Sequence, residues 1–104
     1  MAEADADADG ENPVCGDRLH VWLRIRDGRV SEMQWRAEGC AAAIAAASVT
    51  SELITGMALP ESASLTRERI ADALGGLPAR KTHAAALVAS TVQKALETLA
   101  PHEG

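Results

Sequence analysis

The sequence predicts an α+β fold: a small antiparallel sheet, founded on one hairpin with room for a third strand, and helices packed on one of its faces. Three observations carry this. Residues 19–26 alternate strictly between apolar and polar side chains, and Asp27-Gly28 follows at once, the favoured two-residue turn between antiparallel strands. Behind the hairpin, apolar residues recur at helical spacing in two long stretches, 40–55 and 83–99,. A hairpin first and helices afterwards is the chain order of α+β domains.

Element by element, Asn12-Pro13-Val14-Cys15-Gly16-Asp17 reads as a loop entering the first strand. Leu19, Val21, Leu23 and Ile25 then face one way, and His20, Trp22, Arg24 and Arg26 the other,. The return strand spans about Arg29 to Ala37, with Met33, Trp35 and Ala37 inward. Val30 is out of phase, which predicts a bulge or a late start,. Gly39 takes a turn, and Cys40 opens an alanine-rich helix to about Thr55, whose expected inner line is Ile44, Ala47 or Ser48, Ser51 and Ile54 or Thr55. Gly56 stops it,. Met57 to Ala63 reads as a connector containing Pro60. Ser64 or Thr66 can cap a short helix bearing Leu65, Ile70, Ala73 and Leu74, closed by Gly75-Gly76,. Leu77 to Lys81 reads as an extended link, because Pro78 keeps its predecessor out of the helical region. Thr82 can cap a last helix from about His83 to Leu99, with Leu87, Val88, Val92, Ala95, Leu96 and Leu99 as its apolar stripe, ended by Pro101,.

The 104 residues suit one domain, and the 47% hydrophobic content is largely alanine,. There is no Phe or Tyr, so Trp22 and Trp35 are the only aromatic side chains. The net charge of −5 has a location: residues 1–11 carry five acids and no base, and the other ten acids match ten Lys plus Arg. The alternating Ala/acid tract reads as a disordered acidic tail (1–11) ahead of a domain at 12–100, with an acidic docking arm as the alternative. No basic stripe points to nucleic acid, and no apolar run approaches a membrane span. Two cysteines are too few for a disulfide framework, and without a signal peptide the chain reads as cytoplasmic,.

Chemistry-bearing residues fall at the structural joints. Cys40 stands at a helix start, where free backbone N–H groups favour a thiolate. Cys15 and Asp17 stand at the entrance to the first strand, and His83 at the start of the last helix. Two thiols, a carboxylate and an imidazole suit zinc or ferrous iron. Cys15 and Cys40 are 25 residues apart in sequence, yet a hairpin brings both to one end of the sheet. Each has a plainer alternative: a cysteine packs as a small hydrophobe, Asp17 serves the turn after Gly16, and His83 caps its helix. His20, on the outward face, and His102, near the C-terminus, are assigned no role. A cysteine hydrolase built on Cys40 and His83 lacks a legible oxyanion device or orienting third group.

Taken together, Asn12-Pro13-Val14-Cys15-Gly16-Asp17, Asp27-Gly28, Gly39-Cys40 with small residues and Ser48 behind it, and Leu77-Pro78-Ala79-Arg80-Lys81-Thr82-His83-Ala84 resemble the U-type iron–sulfur cluster assembly scaffolds (IscU, SufU and the N-terminal domain of NifU). The resemblance covers roughly residues 12–99 and implies a SufE/NifU-like fold. It implies that Cys15, Asp17, Cys40 and His83 hold a transient [2Fe–2S] cluster or a Zn/Fe ion. Sulfur would come as persulfide from a cysteine desulfurase, Asp17 would keep the cluster labile, and acceptor apo-proteins would receive it. By the same resemblance Leu77 to Lys81 matches the handle for an Hsp70-type chaperone at Leu77, Pro78 and Lys81 but not at Ala79 and Arg80.

Two departures stand out. The family's third cysteine falls at Ala84, which cannot be a ligand. The family's N-terminal helix and first strand have no counterpart, the acidic tract standing in their place. The leading reading is a non-enzymatic scaffold. The alternatives are a SufE-like persulfide acceptor using Cys40 alone, and a degenerate zinc-binding interaction module.

Overall fold

The computed structural model describes residues 4–12, 16–39, 41–75 and 79–98, with the side chains of 79–83 outside that description. Three antiparallel strands form one sheet in the order β1 (Ala6–Asn12), β2 (Asp17–Arg26), β3 (Arg29–Glu38). Four helices follow: α1 (Ala41–Ile54), α2 (Leu59–Ala63), α3 (Arg67–Ala73) and α4 (Ala79–Glu97). Helix α4 lies across β1 and β2, α1 lies on β3 and against α4, and α3 packs on α4. This is the expected α+β architecture, with its third strand at the N-terminal edge.

The hairpin forms as its pattern dictates. Leu19, Val21 and Leu23 are buried beneath the helices. Asp27 and Gly28 both take positive φ, 57° and 73°, and the register shifts between Arg24 and Ile25 opposite Val30, so the bulge is real. Val30 is fully buried. Its N–H donates to Met57 O at 3.0 Å and its carbonyl accepts from Gly56 N at 2.7 Å, which seats the end of α1 on the start of β3.

Strand β1 corrects the expectation of a disordered tail. Residues 6–11 of the acidic tract pair with β2 from Ala6↔Leu23 to Glu11↔Arg18. The alternation that reads as low complexity is a period-two strand with small residues inward (Ala6, Ala8, Gly10) and acids outward (Asp7, Asp9, Glu11),. Alanine and aspartate are poor strand formers in isolation; the ladder and the helix above them override that. Outward acids on an edge strand also discourage pairing with other chains. The strand whose loss the sequence suggests is therefore present.

Small residues set the spacing of the layers. The inner face of α1 is Ala43, Ala46, Ala47, Thr50 and Ile54, not the line through Ile44, which is 44% exposed. Methyl-sized side chains let the α1 backbone approach α4 and β3 closely, and that outweighs burying one larger residue. Helix α4 buries Leu87, Val88, Val92, Ala95 and Leu96 as expected, and Ala84, Ala85, Ala89 and Thr91 beside them. Leu99 and His102 lie outside the described residues.

Two segments expected to be irregular, the connector around Pro60 and the link from Leu77 to Lys81, contain helix instead. Pro60 occupies the first turn of α2, and α4 runs from Ala79. A first-turn proline loses no intrahelical bond and brings a helical φ. The region from Ala79 to Lys81 is thus helical rather than an extended link, and His83 sits in the second turn of α4 rather than at its start. Thr66 caps α3 by accepting from Arg69 N at 3.3 Å. In the first turn of α3, backbone N–H bonding and then Arg67 hold the Glu68 carboxyl below its usual pKa,. Among the described residues no helix is long and apolar enough to cross a membrane.

Two outcomes test this packing. A Cβ on Gly10 would overlap Thr91 Oγ1 and lie 3.0 Å from Leu87 Cδ1. Gly10→Ala, ordinarily neutral or helpful in a strand, is expected to cost about 1–3 kcal/mol in urea unfolding, with partial recovery in a Thr91→Ala background. Thr50 is fully buried and its hydroxyl has no hydrogen-bond partner among the described residues. Thr50→Val, near in shape, is expected to gain about 1 kcal/mol in the same assay.

Candidate functional site

The site grows from the end of the sheet where β2 begins and β3 finishes. Gly16, with φ of 75°, donates its N–H to Asn12 O at 2.7 Å, closing the β1–β2 connection. Asn12 and Asp17 then face each other as the last register pair. On the other side the β2–β3 ladder ends at Arg18↔Glu38. Gly39 follows with φ of 127°, a conformation open to glycine and strained for other residues.

At this end Asp17 is buried, with 2% of its surface exposed. A Cβ on Gly39 would overlap Asp17 Oδ1 and lie 2.9 Å from both Asp17 Cα and Cγ, so the aspartate rests directly on the Gly39 backbone. Burying a carboxylate is costly unless it is partnered, and Asp17 has a partner interaction in this structure. In sequence Cys15 lies two residues before Asp17, and Cys40 directly follows Gly39.

Of the four expected donors, Asp17 is therefore placed in full. The backbone of His83 is placed in α4, one turn before Leu87. Its side chain, and Cys15 and Cys40, lie outside the described residues. Among the described residues no group of three or more His, Cys, Asp or Glu is arranged to hold a metal. As a donor set, two thiols, an imidazole and a carboxylate fit zinc or ferrous iron, and the burial of Asp17 at the strand end supplies the carboxylate in a water-poor setting. Ala84 is buried in the core at 2% exposure, so the position that resembles a third cysteine contributes packing here.

The outer sheet face adjoins this end. Its polar depression, about 500 Å³, is lined by Asp9, Glu11, Arg18, His20, Arg36 and Glu38 among others. His20, to which the sequence reading gives no role, bonds Asp9 through Nδ1 and Asp7 through Nε2 at 2.8 Å. It also stacks on Trp22, with ring centroids 4.3 Å apart. The available signal was the Ala/Asp alternation, which as a strand sets two carboxylates against this imidazole. Sequence reasoning likewise treats Gly39 only as a turn; its contact with Asp17 joins residues 22 positions apart and has no local signature.

An open-faced sheet of three antiparallel strands, helices on its other face, and a carboxylate buried at a strand end define a small α+β domain whose fold recurs in solved structures. The SUF-system scaffold protein from Fervidobacterium islandicum superposes with a TM-score of 0.76 at 19% identity, covering 92% of this chain and 83% of that one. A NifU-like N-terminal protein from Brucella abortus gives 0.76 at 22% identity, covering 98% and 83%.

The chain belongs to the NifU-like N-terminal domain family, which it matches over residues 1–103. It is 39% identical over 94 residues to the iron-sulfur cluster assembly scaffold protein IscU 1 of Archaeoglobus fulgidus, covering 88% of this chain and 61% of that protein. It is 42% identical over 104 residues to the nitrogen fixation protein NifU of Cereibacter sphaeroides, covering 100% and 41%. The chain thus spans about three fifths of the length of the archaeal relatives and less of NifU.

The His20 contacts are testable without any ligand. They are partly exposed side-chain hydrogen bonds, each worth about 1 kcal/mol or less. His20→Ala is expected to speed amide hydrogen exchange in β1 by up to about fivefold. Unchanged exchange would mean that the backbone ladder alone holds the strand.

Proposed function

We propose that this chain is a scaffold in iron–sulfur cluster assembly, holding iron, zinc or a nascent [2Fe–2S] cluster through Cys15, Asp17, Cys40 and His83 and passing it to acceptor proteins. The observation that carries the proposal is the buried Asp17 carboxylate seated on Gly39, Asp17 standing two residues after Cys15 and Gly39 directly before Cys40, in a chain of the NifU-like N-terminal family. The role is that of a carrier rather than an enzyme.

The chemistry follows from the donor types. Sulfur arrives from a cysteine desulfurase as a persulfide. The Cys40 thiolate attacks its outer sulfur, a new S–S bond forms on Cys40, and the desulfurase cysteine leaves as thiolate. A thiol reductant then supplies two electrons, releasing sulfide for the cluster and ending as its own disulfide. The two thiolates and the imidazole bind the iron firmly, while the carboxylate makes a harder, weaker bond that eases release. With alanine at position 84, a [2Fe–2S] cluster completes its ligands with non-thiolate donors, for which imidazole ligation has precedent. The partial handle of Leu77, Pro78 and Lys81 makes an Hsp70-type chaperone a further proposed partner.

Anaerobic reconstitution with ferrous iron, cysteine, a desulfurase and dithiothreitol tests this. Iron and acid-labile sulfide are expected in stoichiometric amount, lost in Cys40→Ala and released more slowly from Asp17→Ala. Zinc without sulfide would sink the scaffold reading in favour of a metal-stabilised interaction module. Persulfide on Cys40 with no metal requirement for Asp17 or His83 would favour a sulfur acceptor.

A further inference from the structure

The contact between Asp17 and Gly39 points beyond a turn requirement. We infer that Gly39 is a positioning residue for Asp17: the missing side chain at position 39 is what lets the carboxylate lie over the backbone leading into Cys40. This rests on the assembly-site reading above only for its functional consequence.

Two independent constraints meet at Gly39. Its φ of 127° is in the region that L-residues rarely adopt,. Separately, any Cβ would overlap Asp17 Oδ1 and stand 2.9 Å from Asp17 Cα and Cγ. The first constraint concerns the turn and would hold wherever Asp17 pointed. The second concerns the carboxylate itself. The other glycines with positive φ, at 16, 28, 56 and 75, have nothing within 4 Å of such a Cβ. Among the described glycines, Gly39 alone combines positive φ with close approach.

The partner is also distinctive. Asp17 is a fully buried acid at the first position of β2, where the β3 ladder has already stopped at Glu38. Gly39 thus occupies the place across from Asp17 that a continuing strand would fill with a side chain. A methyl group there must push the carboxylate aside or push the strand away. Through Asp17, Gly39 sets where a hard oxygen donor lies over the backbone just before Cys40 in sequence, and, in the proposed assembly site, how readily metal is released.

The first test needs no metal. Aspartates of the full-length chain are labelled with ¹³C at Cγ, and Asp17 is assigned by its loss in Asp17→Asn. A water-soluble gadolinium chelate then reports exposure. In the parent the Asp17 signal is expected to be protected. In Gly39→Ala it is expected to relax several-fold faster, approaching the surface aspartates, while Glu38→Ala leaves it unchanged. An Asp17 signal equally protected in folded Gly39→Ala overturns the inference. If Gly39→Ala does not fold, the pair Asp17→Gly/Gly39→Ala decides: partial recovery of folding supports the inference, and a pair no more stable than the single variant overturns it.

The second test is zinc release to a chromophoric chelator. Gly39→Ala is expected to slow release as Asp17→Ala does, by about tenfold, with no further change when the two are combined. Faster release in Gly39→Ala beside slower release in Asp17→Ala overturns the inference, since a merely loosened fold would lose metal sooner. If Asp17→Ala leaves release unchanged, the role of Asp17 in the assembly-site reading fails, and the exposure measurement still decides what Gly39 does.

Discussion

Close approach of backbones is the constraint on which this structure depends. Helix α1 meets its neighbours through Ala43, Ala46 and Ala47, α4 crosses β1 where Gly10 leaves room for Thr91 and Leu87, and Asp17 lies on Gly39. At each place a missing or methyl-sized side chain sets the distance between layers. With no Phe or Tyr in the chain, the core gains stability from tight packing of many small groups rather than from a few large ones. Leu23, Ile54, Leu65 and Ile70 fill the remaining volume.

Strand β1 shows how little apolar surface a strand needs once its geometry is supplied from outside. It buries one alanine fully and otherwise relies on the ladder to β2, on α4 above it, and on its acids. Glu11 faces Arg18 at 3.9 Å, and Asp7 and Asp9 hold His20 from both sides. Asp5 accepts the Ile25 N–H at 2.6 Å, extending the order beyond the strand. The same carboxylates that suggest a solvated tail in isolation are the groups that fasten the sheet edge and keep it from pairing with other chains.

The end of the sheet is where the fold gathers the candidate site. Turns at Gly16 and Gly39 bring the start of β2 and the end of β3 together, and the carboxylate between them is sheltered from water. In the proposed scaffold role, alanine at position 84 leaves fewer thiols to hold a cluster, which gives the remaining candidate donors more weight. In the reading proposed above, Asp17 is then a ligand whose bond strength governs release, and its seat on Gly39 becomes part of that balance.

The sequence alone determined everything that rests on a short period or a local turn. The alternation of residues 19–26 defined β2, Asp27-Gly28 the hairpin, Val30 the bulge, and the stripe from Leu87 to Leu96 the inner face of α4. Cys15, Asp17, Cys40 and His83 could be singled out as candidate donors for the same reason: their chemistry is intrinsic to the side chain. Tertiary structure decided what depends on contacts between distant segments. It made a strand of the Ala/acid tract, because only β2 and α4 supply what that tract lacks. It turned the alanine face of α1 inward past Ile44, because only the neighbouring backbones reward small side chains. It began α4 at Ala79 rather than at His83, because the surfaces that α4 packs on come from distant segments of the chain. And it set Asp17 on Gly39, since an absent Cβ has meaning only when another residue occupies its place.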